Sequence, residues 1–146
     1  QVVVLMIGAI EDAALHRRLV ARIDAEAATA QIRFCGHMPD IAPAYAGLDI
    51  LAAPSRWEGF GLMLVEAMAA RLPIVATNVG GIPEVTGGAA RLIPPANPSA
   101  LAEAILTFDA PSRAQASEAG AARAEDFDWA SAGSQLAALY DSLPHQ

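Results

Sequence analysis

Short aliphatic runs alternate with Ala-rich segments of helical length along the first two thirds of the chain. Such runs are typical of parallel strands that are buried on both faces, and the Ala-rich segments between them are long enough to be crossover helices. The pattern therefore predicts an α/β protein with an open parallel sheet flanked by helices. The expected strands span residues 2–7, 31–35, 49–53, 74–77 and 91–93.

The chain is expected to be helical to its end after Pro98. All expected helices and helical turns span residues 11–28, 41–47, 61–70, 82–85, 99–108, 112–125 and 129–143. The last helix has an apolar face at helical spacing, formed by Trp129, Gly133, Leu136, Tyr140 and Leu143. We expect this face to pack on the sheet; the alternative is that it docks against a domain outside this chain.

The composition fits one domain. The chain has 146 residues, of which 54% are hydrophobic, and this is enough to form one sizeable core. No apolar run approaches the roughly 20 residues of a membrane-spanning helix. The net charge of −7 does not favour binding to nucleic acid or anionic lipid.

The numbers and positions of cysteine, histidine and lysine exclude several kinds of site. Cys35 is the single cysteine, so an internal disulfide is excluded and a reducing compartment is expected. His16, His37 and His145 are too scattered along the sequence to suggest a metal site. All nine basic residues are Arg, so any phosphate group must be held without a lysine.

Most of the chemical information lies in residues 54–69. This segment follows a buried strand and opens a helix, which is where open α/β sheets bind ligands. Gly59 and Gly61 flank Phe60 and let the backbone approach a ligand closely. Free N–H groups at the start of the helix favour an anion such as a diphosphate. A phosphate can therefore be bound here by backbone groups alone.

Two carboxylates stand in this segment. Glu58 lies in the loop and Glu66 lies about one and a half turns into the helix, so they can contact different parts of one elongated ligand. Because Glu66 is surrounded by apolar residues in the sequence, its carboxylate either faces solvent or is held by a specific donor. Accepting hydrogen bonds from a ribose hydroxyl pair is a recurrent role for such a carboxylate.

Two further loops follow strands. Residues 78–84 contain the pair Gly80-Gly81, and we expect this loop to border the same crevice. Its alternative role is a tight strand-to-helix turn in which Glu84 complements the helix dipole. Residues 34–40 contain His37, which is either an ordinary loop residue or part of a binding site.

Together these residues resemble the retaining glycosyltransferases of family 4, also called the group 1 family. Glu58 to Glu66 is similar to the E-x7-E element of that family. Six elements occur in the family's order and approximate spacing, and the resemblance covers practically the whole chain, residues 2–140. They are Phe34-x-Gly36, Pro54-Ser55-x-x-Glu58-Gly59-Phe60-Gly61, Glu66-Ala67-Met68-Ala69, Pro73-Ile74-Val75-Ala76, Gly80-Gly81-x-Pro83-Glu84 and Pro94-Pro95.

The resemblance implies a GT-B architecture of two Rossmann-like domains, in which residues 1–146 are the C-terminal, donor-binding domain. It implies that Glu58 contacts the transferred hexose and that Glu66 holds the ribose of the nucleotide. The neighbouring donor-binding residues would be Gly59, Phe60, Gly61 and Leu62, through backbone groups that face the sugar and the diphosphate. Gly36, His37 and Met38 would lie near the base.

The resemblance also implies a reaction and its partners. The donor would be a nucleotide sugar such as UDP-glucose or GDP-mannose, and the hexose would be transferred with retention, without a cofactor or a tightly bound metal. The acceptor, a sugar, a lipid or a small molecule, would be bound by an N-terminal domain outside this chain. Such an enzyme is expected in the cytoplasm, or at the membrane periphery through that N-terminal half.

Three features depart from the family pattern. The Arg and Lys that grip the diphosphate normally precede the first strand, so a chain that begins at Gln1 without lysine is expected to turn over slowly or not at all. Arg71 stands where many relatives have Gly after a helix, which implies mild strain or a different cap. Ala9 and Ile10 replace the second glycine after Gly8, so we expect no ligand contact in that loop.

Other classes of protein fit these residues less well. A glycoside hydrolase would use the two carboxylates as acid and nucleophile or base, but it needs no phosphate cradle. A dinucleotide-dependent dehydrogenase would need a G-x-G-x-x-G run after the first strand, and the sequence has none there. A non-catalytic nucleotide-sugar-binding or interaction module remains the alternative for this chain.

Overall fold

A computed structural model describes residues 2–28 and 31–143. The chain forms two compact units, Gln1–Ile41 and Ala42–Gln146. Five parallel strands and seven α-helices occur in these described residues. His145, one of the three histidines considered above, lies outside them.

The first unit is a β-α-β motif. It consists of β1 (Val4–Ile7), α1 (Ala13–Ala25) and β2 (Ile32–Gly36), with the two strands parallel. Helix α1 begins where the Asp12 carboxylate accepts the N–H groups of Ala14 and Leu15 at 2.8 and 2.9 Å. This is the capping arrangement that satisfies otherwise unpaired N–H groups of a first helical turn.

The second unit contains a three-stranded parallel sheet in the order β3-β4-β5. Its elements are α2 (Ala42–Gly47), β3 (Leu51–Ala53), α3 (Leu62–Ala69), β4 (Ile74–Thr77), α4 (Ile82–Thr86), β5 (Ala90–Ile93), α5 (Pro98–Leu106), α6 (Ala110–Ala124), a 3₁₀ turn (Glu125–Phe127) and α7 (Trp129–Asp141). Every residue of the central strand β4 is buried, as expected for a strand covered on both faces.

Helices pack on the sheet of the second unit and supply its core. Helix α3 buries Leu64, Ala67 and Met68 and contacts β4 and α6. Gly120 of α6 allows the close approach, because a Cβ atom there would lie 3.2 Å from Met68 Cγ. A second cluster joins Val75 of β4 to Phe108, after α5.

The α/β class is confirmed, and the observed elements begin and end within a few residues of the expected ones. The hydrogen-bonded ladders, however, join the strands in two sets, β1 with β2 and β3 with β4 and β5, where the pattern predicted one open sheet of five. Periodicity within a strand indicates burial but not which strands are neighbours, so the sequence could not supply this pairing.

The expectation that the apolar face of the last helix packs on the sheet is wrong. No described residue of α7 is buried, and Trp129 at the start of α7 is 85% exposed. Leu136 and Tyr140 are exposed as well. The spacing of apolar residues determines that a helix has an apolar face, whereas what covers that face depends on the elements around it.

Arg71 follows α3 and adopts the left-handed conformation, with φ of 58°. Its N–H donates to Met68 at 3.0 Å and the N–H of Leu72 donates to Ala67 at 2.9 Å, which is the hydrogen-bond pattern of a Schellman cap. Of the two alternatives that the sequence left open, strain is therefore the correct one. The Arg71 side chain forms an ion pair with Glu118 at 2.6 Å, and both side chains are largely exposed.

Replacing Arg71 with glycine relieves this backbone strain. We expect the Arg71→Gly variant to have a free energy of unfolding about 1 kcal/mol above that of Arg71→Ala, because both lose the ion pair and only glycine favours this conformation. Urea unfolding of the two variants measures the difference. Equal stabilities would show that the left-handed residue is not strained.

Candidate functional site

The loop between β3 and α3, residues 54–61, is fixed by the end of the neighbouring strand. Thr77, the last residue of β4, is 2% exposed. Its hydroxyl donates to the carbonyl of Ser55 at 2.6 Å and also lies 3.4 Å from the carbonyl of Ala53. A buried hydroxyl requires a partner, and here the partner is the backbone of the loop. Thr77 therefore fastens the start of this loop to the central strand.

The far end of the same loop packs against the loop after β4, backbone to backbone. The Gly81 N–H donates to the Glu58 carbonyl at 3.0 Å. A Cβ atom at Gly80 would lie 2.0 Å from the Glu58 carbonyl oxygen, and one at Gly81 would lie 2.1 Å from the Gly59 carbonyl oxygen. Any side chain at either position would collide with backbone, so both must be glycine. The two loops are therefore in contact, and Glu84 lies in the first turn of α4, as its alternative role required.

Helix α3 begins at Gly61, whose φ of 80° is in the left-handed region. Helices α1, α5, α6 and α7 each begin with an Asp or Asn side chain that accepts an N–H group of the first turn. Gly61 offers no such acceptor, and within residues 2–28 and 31–143 the N–H groups of Phe60, Gly61 and Leu62 have no acceptor. These groups and the helix dipole together favour an anion.

Phe60 is held by an aromatic and cationic cluster that the sequence analysis did not identify. Its ring meets Phe127 edge to face at 5.5 Å, and the Arg123 guanidinium lies 4.8 Å from the centre of the Phe127 ring. Arg123 also donates to the carbonyls of Glu84 and Val85 at 2.7 and 3.1 Å. The cluster therefore links α6 and the 3₁₀ turn to the loop of residues 54–61 and to α4. Nothing in the local sequence signals contacts over these separations.

Glu66 lies on α3 with its side chain exposed, and its carboxylate accepts a hydrogen bond from Tyr45 of α2. The distance from Tyr45 Oη to Glu66 Oε2 is 3.1 Å. From the sequence, this carboxylate was expected either to face solvent or to be held by a specific hydrogen-bond donor. In the structure it does both. Tyr45 itself was not identified from the sequence, because it lies 21 residues before its partner.

Burial and the neighbouring Glu66 carboxylate both raise the pKa of Tyr45. The pKa rises from 10.0 to about 12. The largest cause is the removal of the hydroxyl from water, and smaller contributions come from its hydrogen bond to Glu66 and from the negative charge of Glu66. The phenol therefore stays protonated at neutral pH and acts as a hydrogen-bond donor.

The nine site residues expected from the sequence fall in both units. Glu58 and Glu66 belong to the second unit with Gly59, Phe60, Gly61 and Leu62, which form one loop and the start of α3. Gly36, His37 and Met38 belong to the first unit, at the end of β2. There the Gly36 carbonyl accepts the Gly8 N–H at 2.9 Å, and His37 is exposed.

The first unit also contains an open cavity of about 350 Å³ beside the loop that follows β1. Its walls are mainly apolar and include Ile10, Leu15 and Phe34. His16 contacts Phe34 edge to face at 4.6 Å in this wall. The sequence analysis did not anticipate this cavity.

Two features are absent from residues 2–28 and 31–143. No group of three or more His, Cys, Asp or Glu side chains there is arranged to hold a metal ion. No helix in the same residues has the length and apolar character needed to cross a membrane.

The chain belongs to the glycosyl transferases group 1 family, whose model matches residues 1–108. It is 38% identical over 137 residues to the lipopolysaccharide core biosynthesis mannosyltransferase LpsB of Rhizobium meliloti, a match that covers 89% of this chain and 39% of LpsB. It is 35% identical over 116 residues to O-antigen chain mannosyltransferase B of Escherichia coli, covering 77% of this chain and 30% of that protein.

Solved structures show the same fold. HepE of Anabaena in complex with UDP-glucose is 28% identical with a TM-score of 0.86, and the match covers 98% of this chain and 42% of HepE. The C-terminal domain of a group 1 glycosyl transferase from Francisella tularensis is 27% identical with a TM-score of 0.71, covering 79% and 63%. The α/β fold thus matches GT-B glycosyltransferases. The chain spans well under half the length of the curated relatives.

Substitution of Gly81 tests the close contact between the two loops. We expect Gly81→Ala to lower the free energy of unfolding by about 2 kcal/mol or more, because the added Cβ must displace backbone. Gly133→Ala in α7 is the matched control: a Cβ there meets nothing within 4 Å, and alanine favours a helix. Chemical unfolding of both variants provides the measurement, and equal effects would contradict the packing argument.

The raised pKa of Tyr45 makes stability depend on alkaline pH. The unfolded chain loses the tyrosine proton near pH 10 and the folded chain only near pH 12, so the stabilisation is complete below pH 10 and is lost between pH 10 and 12. No lysine titrates in this interval, since the chain has none. Urea unfolding should show a shallower decline for Tyr45→Phe than for the original chain. The exposed Tyr140→Phe control should follow the original chain.

Proposed function

We propose that this chain is the C-terminal, donor-binding domain of a retaining family 4 glycosyltransferase with the two-domain GT-B architecture. The donor is a nucleotide sugar, for which UDP-glucose and GDP-mannose are the leading candidates. The observation that carries the proposal is the loop at the start of α3, where three N–H groups without an acceptor among the described residues lie between Glu58 and Glu66. An elongated, anionic ligand with hydroxyl groups at both ends suits this order of groups.

Each end of the loop has its own role in the proposal. The backbone N–H groups of Phe60, Gly61 and Leu62 bind the diphosphate and the sugar, as expected of an uncapped helix start. Glu58 orients the transferred hexose, and Glu66 accepts hydrogen bonds from the ribose hydroxyls. The resemblance at Phe34-x-Gly36 assigns Gly36, His37 and Met38 to the neighbourhood of the base. These assignments follow the resemblance in the E-x7-E element and the chemistry of each group.

The relatives support the same chemistry. HepE has been crystallised with UDP, with UDP and glucose, and with UDP-glucose, and the similar curated proteins include mannosyltransferases. In the proposed reaction the bond from the anomeric carbon to the donor phosphate breaks, and a bond to the acceptor oxygen forms on the same face. The acceptor proton passes to the leaving phosphate. No cofactor or tightly bound metal takes part.

The remaining components belong to the longer protein. An N-terminal domain binds the acceptor, a sugar, a lipid or a small molecule, and the enzyme works in the cytoplasm or at the membrane periphery. Because the chain spans 39% of LpsB, its activity in isolation is the binding of the donor rather than transfer. A nucleotide-sugar-binding module is therefore the second candidate function for these residues taken alone.

Variants at the two carboxylates separate the proposed roles. In the full-length enzyme we expect Glu58→Gln to lower kcat roughly 100-fold with little change in nucleotide affinity, since it removes an orienting contact to the sugar. Glu66→Ala should weaken nucleotide binding about 10-fold, the loss expected for a hydrogen bond to a charged group. Steady-state kinetics and calorimetry measure these effects, and equal effects of both variants on both quantities would refute the division of roles.

Ligand-observed NMR tests the proposed function itself. This chain and its Glu66→Ala variant are mixed with UDP-glucose, GDP-mannose and ADP-glucose in turn. Saturation transfer to one donor that weakens in the variant supports a donor-binding domain and identifies the base. Absence of binding by both this chain and the full-length protein would overturn the proposal.

A further inference from the structure

Tyr45 and Glu66 form a contact in which a buried side chain donates to an exposed carboxylate. Tyr45 is 7% exposed, so its ring is closely packed. The hydroxyl reaches outward and donates to Glu66 Oε2 at 3.1 Å. A buried phenol O–H requires a partner, and within residues 2–28 and 31–143 its hydrogen bond goes to this carboxylate.

The contact restricts a side chain that would otherwise be mobile. Glutamate is among the residues with the largest rotamer freedom, and Glu66 lies on the exposed side of α3. The Tyr45 ring is anchored in α2, on a different element, so the hydrogen bond ties the Glu66 carboxylate to a fixed point rather than to another mobile group. The carboxylate therefore has one favoured orientation before any ligand arrives.

The same contact leaves most of the carboxylate available. A carboxylate has about four lone-pair sites on two oxygens, and Tyr45 occupies one of them. Among the described residues, Glu66 Oε1 has no hydrogen-bond partner and Glu66 has no ion pair. A pair of neighbouring hydroxyl groups can donate to the free sites while the Tyr45 hydrogen bond persists.

We propose that Tyr45 is a positioning residue, which holds the Glu66 carboxylate in the orientation that accepts the two ribose hydroxyls of the donor nucleotide. The inference rests on the proposed function, because it assigns Glu66 to the ribose. A carboxylate that is already oriented loses less side-chain freedom on binding, and this saving increases affinity. Tyr45 thus contributes to binding only through the ligand groups that Glu66 contacts.

The test compares ligands that differ only in those hydroxyls. UDP, GDP and ADP are titrated by calorimetry into this chain, and the diphosphate that binds most tightly is paired with its 2′,3′-dideoxy analogue. We expect Tyr45→Phe to weaken binding of the ribose-containing diphosphate about 3- to 10-fold and to change that of the dideoxy analogue less than twofold. In a Glu66→Ala background the Tyr45→Phe change should have no further effect.

Several outcomes overturn the inference. If Tyr45→Phe weakens the binding of both ligands equally, the tyrosine supports only the fold. The same conclusion follows if Tyr45→Phe still weakens binding by the full amount in the Glu66→Ala background. If the chain and the full-length protein bind none of the diphosphates, the proposed function fails first. If binding is normal and Tyr45→Phe has no effect, only the positioning role fails.

Two controls keep the comparison interpretable. Tyr140→Phe, an exposed tyrosine on α7, should leave both affinities unchanged. If Tyr45→Phe does not fold, Glu66→Asp replaces it, because a carboxylate that is one methylene shorter is expected to lengthen the contact with the Tyr45 hydroxyl. Glu66→Asp should show the same selective loss for the ribose-containing ligand, and an unselective loss would contradict the inference.

Discussion

The candidate site depends on a contact between two backbones. The Gly81 N–H bonds to the Glu58 carbonyl at 3.0 Å, and there is no space for a side chain at Gly80 or Gly81. A backbone contact of this kind is more rigid than one between side chains, because no rotamer can relax it. It determines where Glu58 lies and how the chain enters α3, and every other feature of the site is arranged around that loop.

The remaining contacts stabilise the same loop from three sides. Thr77 holds its beginning, Phe127 packs against Phe60 near its end, and the buried side chains of α3 fix the helix that follows. Arg123 ties the Phe127 cluster to the carbonyls of Glu84 and Val85 in α4. A loop that is held by this many elements can keep N–H groups unpaired without collapsing onto them, which is the condition for an anion site built from backbone.

Membership of the group 1 glycosyltransferase family gives this arrangement a functional context. Three of the six elements that carry the family resemblance fall in one loop, one helix and the segment with the Gly80-Gly81 pair that packs on the loop. These positions are constrained physically, since they combine special backbone conformations with close approach. The site therefore has a recognisable sequence pattern even though its contacts extend across the whole second unit.

The sequence by itself determined the class of fold, the approximate bounds of the elements and the position of the candidate loop between β3 and α3. It could do so because burial periodicity, helix caps and glycine requirements are local properties. The strand pairing in two sets, the exposure of α7, and the partners Tyr45, Arg123 and Phe127 were decided by the tertiary structure. Each depends on contacts between residues far apart in the chain, and no local pattern records which distant side chain will meet another.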